Sequence, residues 1–253
     1  MAKTSGLGDA LFIGGNDLSG DFTAIGNVGG GPAALTTTGI DKGAMERIGG
    51  ARDGRLEATA WFNPTLSHPV LAALPTADVQ SMYCRGTTLG SPAATIVGKQ
   101  ANYDGTRGQD GAFTFAVSMQ ANGFGVEWGY LLTAGKRVDV AATNGTGVDF
   151  GLGSSPLFNG QALFGAQCYL QVFAFTGTDV TIKVQDSADN ATFADVAGMT
   201  FTAVTSGPGV QRIATASGQT VRRYLRAVTT TVGGFTSCTF AVAAVRNDVS
   251  TVF

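Results

Sequence analysis

Charge is what this sequence has least of. Only 13% of its 253 residues are Asp, Glu, Lys or Arg, about half the ~25% usual in soluble domains. Residues 1–140 carry 10 basic and 12 acidic side chains and residues 141–253 carry 6 of each, a net charge of -2. Neither part has the basic excess that grips phosphates through counterion release, so tight nucleic-acid binding is not expected. Histidine occurs once, at His68, which leaves no second imidazole for a zinc site and a single choice for any Ser-His-Asp triad. Cys84, Cys168 and Cys238 are three, far apart and without a CxxC, which argues against a disulfide framework. The N-terminal "MAKTSGLGDALFIGG" has one Lys and no apolar h-region, so no signal peptide is expected. No apolar run approaches the ~20 residues of a membrane helix, and no membrane role is expected.

Glycine is abundant, 37 residues, about twice the usual share. So is period-two alternation. "GRLEATAWFN" sets Leu56, Ala58, Ala60 and Phe62 against Arg55, Glu57, Thr59 and Trp61. "GAFTFAVSMQ" sets Phe113, Phe115, Val117 and Met119 against Thr114, Ala116, Ser118 and Gln120, and "TFAVAAV" is apolar on both sides. Such runs, punctuated by Gly, Asn and Asp, read as strands. Helical signals are short. "DKGAMERIGG" predicts two turns from Asp41 as N-cap to Gly49 and Gly50, and "SHPVLAALP" predicts two more between Ser67 as N-cap and Pro75. The class is all-β with one or two short helices. A Gly-, Ser- and Pro-rich stretch, Asn144–Gly160, reads as a linker or crossing loop. It separates a first β domain (1–143) from a C-terminal β-sandwich (161–253).

"AQCYLQVFAFTGTDVTIKVQDSADN" (Ala166–Asn190) reads as two strands and a tight turn. The second alternates cleanly, with Val180, Ile182 and Val184 on one side. The first carries Leu170, Val172 and Ala174 on one side and Tyr169, Phe173 and Phe175 on the other. A strand apolar on both faces needs cover on both. The linker, the first domain or a neighbouring subunit are the three candidates.

Signatures of catalysis fail on spacing. "GYLLTAGKR" places five residues between its glycines instead of four, and Arg137 stands where a phosphate loop needs Ser or Thr. "GGGPAA" holds Pro32 inside a would-be dinucleotide fingerprint. Asp186, Asp189 and Asp195 could hold calcium, but their spacing is not an EF-hand loop, and a solvated turn is the simpler reading. No enzyme activity, metal or cofactor is expected. "VRRYLRAV" puts Arg222, Tyr224 and Arg226 on one strand side, as a possible outer saccharide- or phosphate-binding face or simply a polar outer face. Trp61 on an otherwise polar side marks either a residue under a loop or a contact surface.

"TTGIDKGAMERIGGARDGRLEATAWFNP" (Thr37–Pro64), then "HPVLAALP" and "DGAFTFAVSMQANG" (Asp110–Gly123), resemble the major tail proteins of long-tailed bacteriophages. "TDVTIKVQDSADNATFADV", "TVRRYLRAV" and "FAVAAVRND" resemble the C-terminal part of the same protein in phages of actinobacteria. The resemblance spans nearly the whole chain. It implies a tail-tube β-sandwich or barrel-like domain followed by a second, Ig-like β-sandwich. It also implies a subunit that builds stacked rings into a hollow tube, its inner strands continuing one sheet around the lumen and a long loop reaching the next ring. DNA would pass without tight binding. Tape-measure and tail-terminator proteins would be partners, and the virion tail, assembled in the host cytoplasm, the location. Glu46, Arg47, Arg52, Asp53 and Arg55, with Trp61, are the expected subunit contacts. A capsid decoration protein and a carbohydrate-binding β module are the alternatives.

Overall fold

A computed structural model describes residues 5–151 and 160–250. In chain order its strands are β1 (Ala10–Ile13), β2 (Asn16–Asp17), β3 (Phe22–Gly29), β4 (Pro32–Thr36), β5 (Arg47–Arg52) and β6 (Arg55–Trp61). After helix α1 (Ser67–Leu71) come β7 (Val79–Cys84), β8 (Pro92–Arg107), β9 (Phe113–Ala121), β10 (Glu127–Leu131), β11 (Arg137–Asp139) and β12 (Val148–Asp149). The rest are β13 (Ala166–Gly177), β14 (Thr181–Ser187), β15 (Ala194–Thr200), β16 (Gly209–Ala214), β17 (Tyr224–Thr230) and β18 (Phe235–Arg246). The fold is all-β, as the alternation predicts, with one short helix among the described residues. That helix is not capped as expected. Ser67 is its first residue, and the Ser67 N–H donates to the Asp21 carboxylate (3.1 Å), a partner 46 residues away. The helix predicted from Asp41 is absent. Residues Arg47–Arg52 pair with Pro32–Thr36 as a hairpin instead, so the two-glycine stop is a strand interior.

The chain forms two compact units, and neither is a continuous piece. The first comprises residues 1–19, 81–95 and 128–252; the second, 20–80 and 96–127. Residues 128–143 and 160–250 fall in the same unit. Strands β10 and β11 pair with β18 across 99 to 114 positions of sequence, and β1 joins the same sheet through β7. Of the expected linker, Val148–Asp149 pairs with β17, and residues 152–159 lie outside the described residues.

The first unit is a sandwich. One sheet runs β16-β13-β18-β10-β8-β7-β1-β2, with β11 on β18, and the other runs β12-β17-β14-β15. Cys168, Leu170, Val172, Phe240, Val242 and Ala244 of the first meet Ile182, Val184, Leu225 and Ala227 of the second in one buried cluster. The stretch Ala166–Asn190 thus supplies one strand to each sheet rather than a paired hairpin: β13 pairs with β16 and β18, and β14 with β15 and β17. A bulge between Val172 and Ala174 breaks the alternation. It exposes Ala174 and brings Phe175 to the sandwich core.

The other side of β13 is covered by the N-terminal hairpin. Phe12 packs edge-on to Phe173 with ring centroids 4.9 Å apart. The Gly15 N–H donates to Gln171 Oε1 at 2.7 Å, and Arg212 Nε donates to the buried Tyr169 hydroxyl at 2.9 Å. The Phe12 and Gly15 contacts come from β1 and the turn after it. Gly15 is obligatory here: φ is +81°, and a Cβ would lie 2.6 Å from both Gly209 N and Val172 O. Gly14 is also left-handed (φ +59°) but has only Asn16 Nδ2 nearby, at 3.9 Å. Gly15→Ala is expected to lose about 2 kcal/mol through overpacking and strain, a fall of roughly 4–8 °C in melting temperature. Gly14→Ala loses only the conformational part, about 1 kcal/mol. Equal losses in thermal melts would contradict the close approach.

All three cysteines are buried and unpaired. Burial pushes the Cys84 and Cys238 thiols up to about 12 and raises Cys168 too, so they behave as small apolar residues. Four carboxylates of this unit are held low, Asp17, Asp149, Asp189 and Asp195. Arg223 donates to both oxygens of Asp149 (2.7 and 2.6 Å) and lowers its pKa. Burial alone would raise Asp17, but hydrogen bonds from Lys136 and Ser19 outweigh it and lower it below 3.8. A carboxylate whose folded pKa is depressed contributes stability above its unfolded value and loses it as pH falls through the folded one. Thermal stability is therefore expected to be level from neutral pH to about 5 and to decline below about 4. The Asp17→Asn, Asp149→Asn double variant is expected to melt lower on the plateau and to approach the parent at acid pH. An acid limb unchanged in the double variant would assign it elsewhere.

Candidate functional site

The second unit holds a four-stranded antiparallel sheet in the order β3-β6-β9-β8, the last strand contributing residues from Ile96 on. Register puts Leu56 opposite Met119, Ala58 opposite Val117 and Ala60 opposite Phe115, the apolar sides read from sequence. Gln100, Tyr103 and Gly105 of β8 extend this face, as do Phe22, Ile25 and Val28 of β3. Helix α1 lies against it: Leu71 is fully buried, and the Leu71 carbonyl accepts Gln100 Nε2 at 2.7 Å. His68, the sole histidine, sits in an aromatic cluster with Phe62, Tyr103 and Phe115, its Nδ1 3.2 Å from the Tyr103 hydroxyl. Tyr103 stacks on Phe115 with centroids 4.0 Å apart. The histidine is part of the packing that seals this face.

The opposite face is polar and uncovered. Arg55, Glu57, Thr59 and Trp61 of β6 stand beside Gln120, Ser118, Ala116 and Thr114 of β9. Lys99, Asn102, Asp104 and Thr106 of β8 continue the rows on one side, and Ala24 and Asn27 of β3 on the other. Two basic residues, Arg55 and Lys99, meet two acidic ones, Glu57 and Asp104, so the face is electrically balanced. Arg55 lies 3.6 Å from Glu57, and Lys99 is paired with Asp78 at 2.8 Å. Trp61 is 45% exposed at the end of this face.

Both borders of the sheet are open. Among the described residues β3 pairs only with β6, and β8 from Asn102 onward pairs only with β9. Three successive antiparallel pairings make β3 and β8 antiparallel to each other. On the β8 border, Asn102 donates to Asp104 (2.9 Å), while its own Oδ1 is buried without a hydrogen-bond partner.

Between β3 and β6 the chain leaves as the hairpin β4–β5. Its base turns at Gly30 (φ +144°), where any Cβ would strike the Asp53 carbonyl and Gly54. Asp53 itself closes that base, its carboxylate accepting the Gly54 N–H at 2.7 Å. The hairpin is exposed almost throughout. Leu35 and Ile48 are register partners on one side of it and are 49% and 56% exposed. Glu46 pairs with Lys42 at 3.8 Å, and Arg47 Nη2 approaches Met45 Sδ at 3.3 Å. The expected contact residues therefore divide: Glu46, Arg47 and Arg52 belong to the hairpin, Asp53 to its base, and Arg55 and Trp61 to the polar sheet face.

The second expected face does not form a free stripe. Arg222 precedes β17; its N–H donates to Asp186 at 2.8 Å and its guanidinium lies 3.6 Å from the same carboxylate. Arg226 donates twice to Gln185 (3.0 and 2.7 Å) and covers the Phe193 ring at 4.0 Å. Tyr224 is stacked by its neighbour Arg223 at 5.1 Å. The expected cation–π support is engaged within the chain. Nor do the three aspartates converge. Asp186 faces Arg222, and Asp195 faces Lys183 and Gln185. Asp189 closes a turn on Ser187, Ala191 and Thr192, whose hydrogen bonds pull its pKa far down. No cluster of metal-ligating side chains occurs among the described residues, and no helix there is long and apolar enough to cross a membrane.

No family model matches this chain, and no curated protein matches it. Among solved structures it is similar to the Dit (gp 19.1) protein of phage SPP1, described as a paradigm of the hub adsorption apparatus in phages infecting Gram-positive hosts. Identity there is 13%, coverage 93% of this chain and 98% of that one, and the TM-score 0.34. Chains of the phage p2 baseplate in its activated conformation are similar at 9% identity with strontium and 10% with calcium. Each match covers 95% of this chain and 99% of the other, at TM-scores of 0.35 and 0.34.

Proposed function

We propose that this protein is a self-assembling structural subunit of a phage tail, forming rings that stack into a hollow tube. The observation that supports it most is the sheet β3-β6-β9-β8 with two open, mutually antiparallel borders. Unpaired borders invite pairing with another chain. Because β3 and β8 run antiparallel, β3 of one copy can lie along β8 of the next and continue the same ladder without a change of pattern. Such head-to-tail contacts close into a ring when the rotation permits. An added strand would also bring backbone donors to the border where Asn102 Oδ1 lacks one.

Chemistry of the uncovered face agrees with a conduit. Hydroxyl, amide and small side chains with two charges of each sign offer DNA no cationic track, and each phosphate neutralised would add affinity. The hairpin β4–β5 is the reach to a neighbouring ring. A lone two-stranded hairpin is marginal in water, and exposed Leu35 and Ile48 give it an apolar side to bury. Glu46, Arg47 and Arg52 around that side would set register and orientation more than affinity.

Electron microscopy and sedimentation velocity of purified protein over a concentration series test this reading. Rings and open-ended tubes are expected to appear as concentration rises. Small closed oligomers that never elongate would point to a decoration protein instead, and a monomer throughout would refute assembly.

A further inference from the structure

We propose that the first unit carries a binding groove for a neutral oligosaccharide at the open end of its sandwich. Two clefts, of about 450 and 280 Å³, share Leu89 as a common wall. The larger falls within the ~300–1,000 Å³ typical of small-molecule sites, and the smaller extends it past Leu89. The first is walled by Tyr130 of β10 and by Val148–Gly151. The second runs past Thr133 and Arg137 to Thr143–Thr146. Tyr130 pairs with Ala244, a residue of the sandwich core, so its ring lies on the core side of the sheet. It packs edge-on to Phe150 at 5.2 Å yet stays 39% exposed. A ring held from one side and open on the other is a stacking surface for the C–H face of a sugar.

The polar wall fits hydroxyls and not phosphates. Asp149 is neutralised by bidentate Arg223, and Arg137 by bidentate Asp139 at 2.7 Å to both oxygens. No cation is left over to attract an anion. The two pairs hold planar groups rigidly in the cleft wall; Arg137 is fixed further by donating to the Ala227 and Thr143 carbonyls at 3.0 and 3.1 Å. Asn144 and Thr146 are exposed, and their side chains bond to no other described residue. One partly open aromatic ring, fixed planar ion pairs and free amide and hydroxyl groups together recognise polyols. This site uses none of the residues assigned to assembly and does not rest on that reading.

Full-length protein titrated with the tetrasaccharides of β1,4-N-acetylglucosamine, α1,4-glucose and α1,6-mannose tests it by saturation-transfer NMR and calorimetry. At least one is expected to bind saturably, with transfer to its ring C–H protons. Tyr130→Ala is expected to weaken that binding about tenfold, and Asn144→Ala to weaken it less while leaving the melting temperature unchanged. Lack of binding by all three, or equal binding by a folded Tyr130→Ala variant, would overturn the proposal. So would preferential capture of inorganic phosphate, or of an extended heptapeptide added along β12.

Discussion

Ala101→Pro, in the border strand β8, is expected to abolish assembly while leaving the subunit folded. Ala101 is exposed and sits in the register shift between Gln100 and Asn102, so it has no partner residue on β9. Proline is tolerated at such bulges and borders. On the open side, however, it removes a ladder donor and its ring holds an incoming strand away. Losing two or three intersubunit ladder bonds at ~0.5–1.5 kcal/mol each amounts to about 2–3 kcal/mol. That weakens each contact by roughly 10²-fold, and a polymer multiplies the loss over every contact. Ala24→Lys, exposed on the polar face of β3, should do the same from the other border, because charges on border strands block pairing. Both variants should melt close to the parent protein. Sedimentation velocity reads the result: parent protein in large species, both variants slow and monomeric. Tubes formed equally well by either variant would remove these borders from the interface.

The largest loss of subunit stability is expected at Arg246. Its side chain is only 1% exposed. The guanidinium donates to Gly160 O (2.8 Å), Phe150 O (3.2 Å) and Gly151 O (3.3 Å), and to Asp248 (2.8 Å). It therefore ties the last residue of β18 to the segment that follows β12. Arg246→Met leaves those buried carbonyls without donors, at a cost of about 3–5 kcal/mol. The melting temperature should fall by roughly 6–20 °C. Arg246→Lys keeps the charge but not the planar fork, and should recover only part of the loss. Asp248→Asn removes one partly exposed partner and should lose less than about 1 kcal/mol. Melts of all three in that order would support the carbonyl bonds as the main contribution. A loss on Asp248→Asn equal to that on Arg246→Met would assign it to the ion pair.

Alternation made β6, β9, β14 and β18 legible, because a strand buried on one or both faces writes its faces into the sequence at period two. Pairing was less legible. β13 and β14 are separated by three residues, the spacing of a hairpin, yet each belongs to a different sheet, and only contacts from β16, β17 and β18 reveal it. The bulge at Phe173 moved Phe175 to the core without any local signal such as glycine. At Asp41–Gly50 an N-cap residue and a terminal glycine pair imitate a helix. The glycines instead suit a hairpin whose strands are exposed on both sides. The two-unit division was hidden because three of its boundaries fall inside strands, β7, β8 and β10. Of the expected contact residues, Arg55 and Trp61 stand on the polar face that alternation assigned them. The open borders and the saccharide groove depend on residues distant in sequence and could not be read from any one segment.

Cryo-electron microscopy of the assembled particle tests the central claim most directly, by resolving the borders of the four-stranded sheet. The account predicts that β3 of each subunit lies antiparallel to β8 of its neighbour at the ladder spacing of about 4.8 Å, with the face of Arg55, Glu57, Lys99 and Asp104 toward the lumen. Copies that meet through other surfaces, with both borders in solvent, would contradict it.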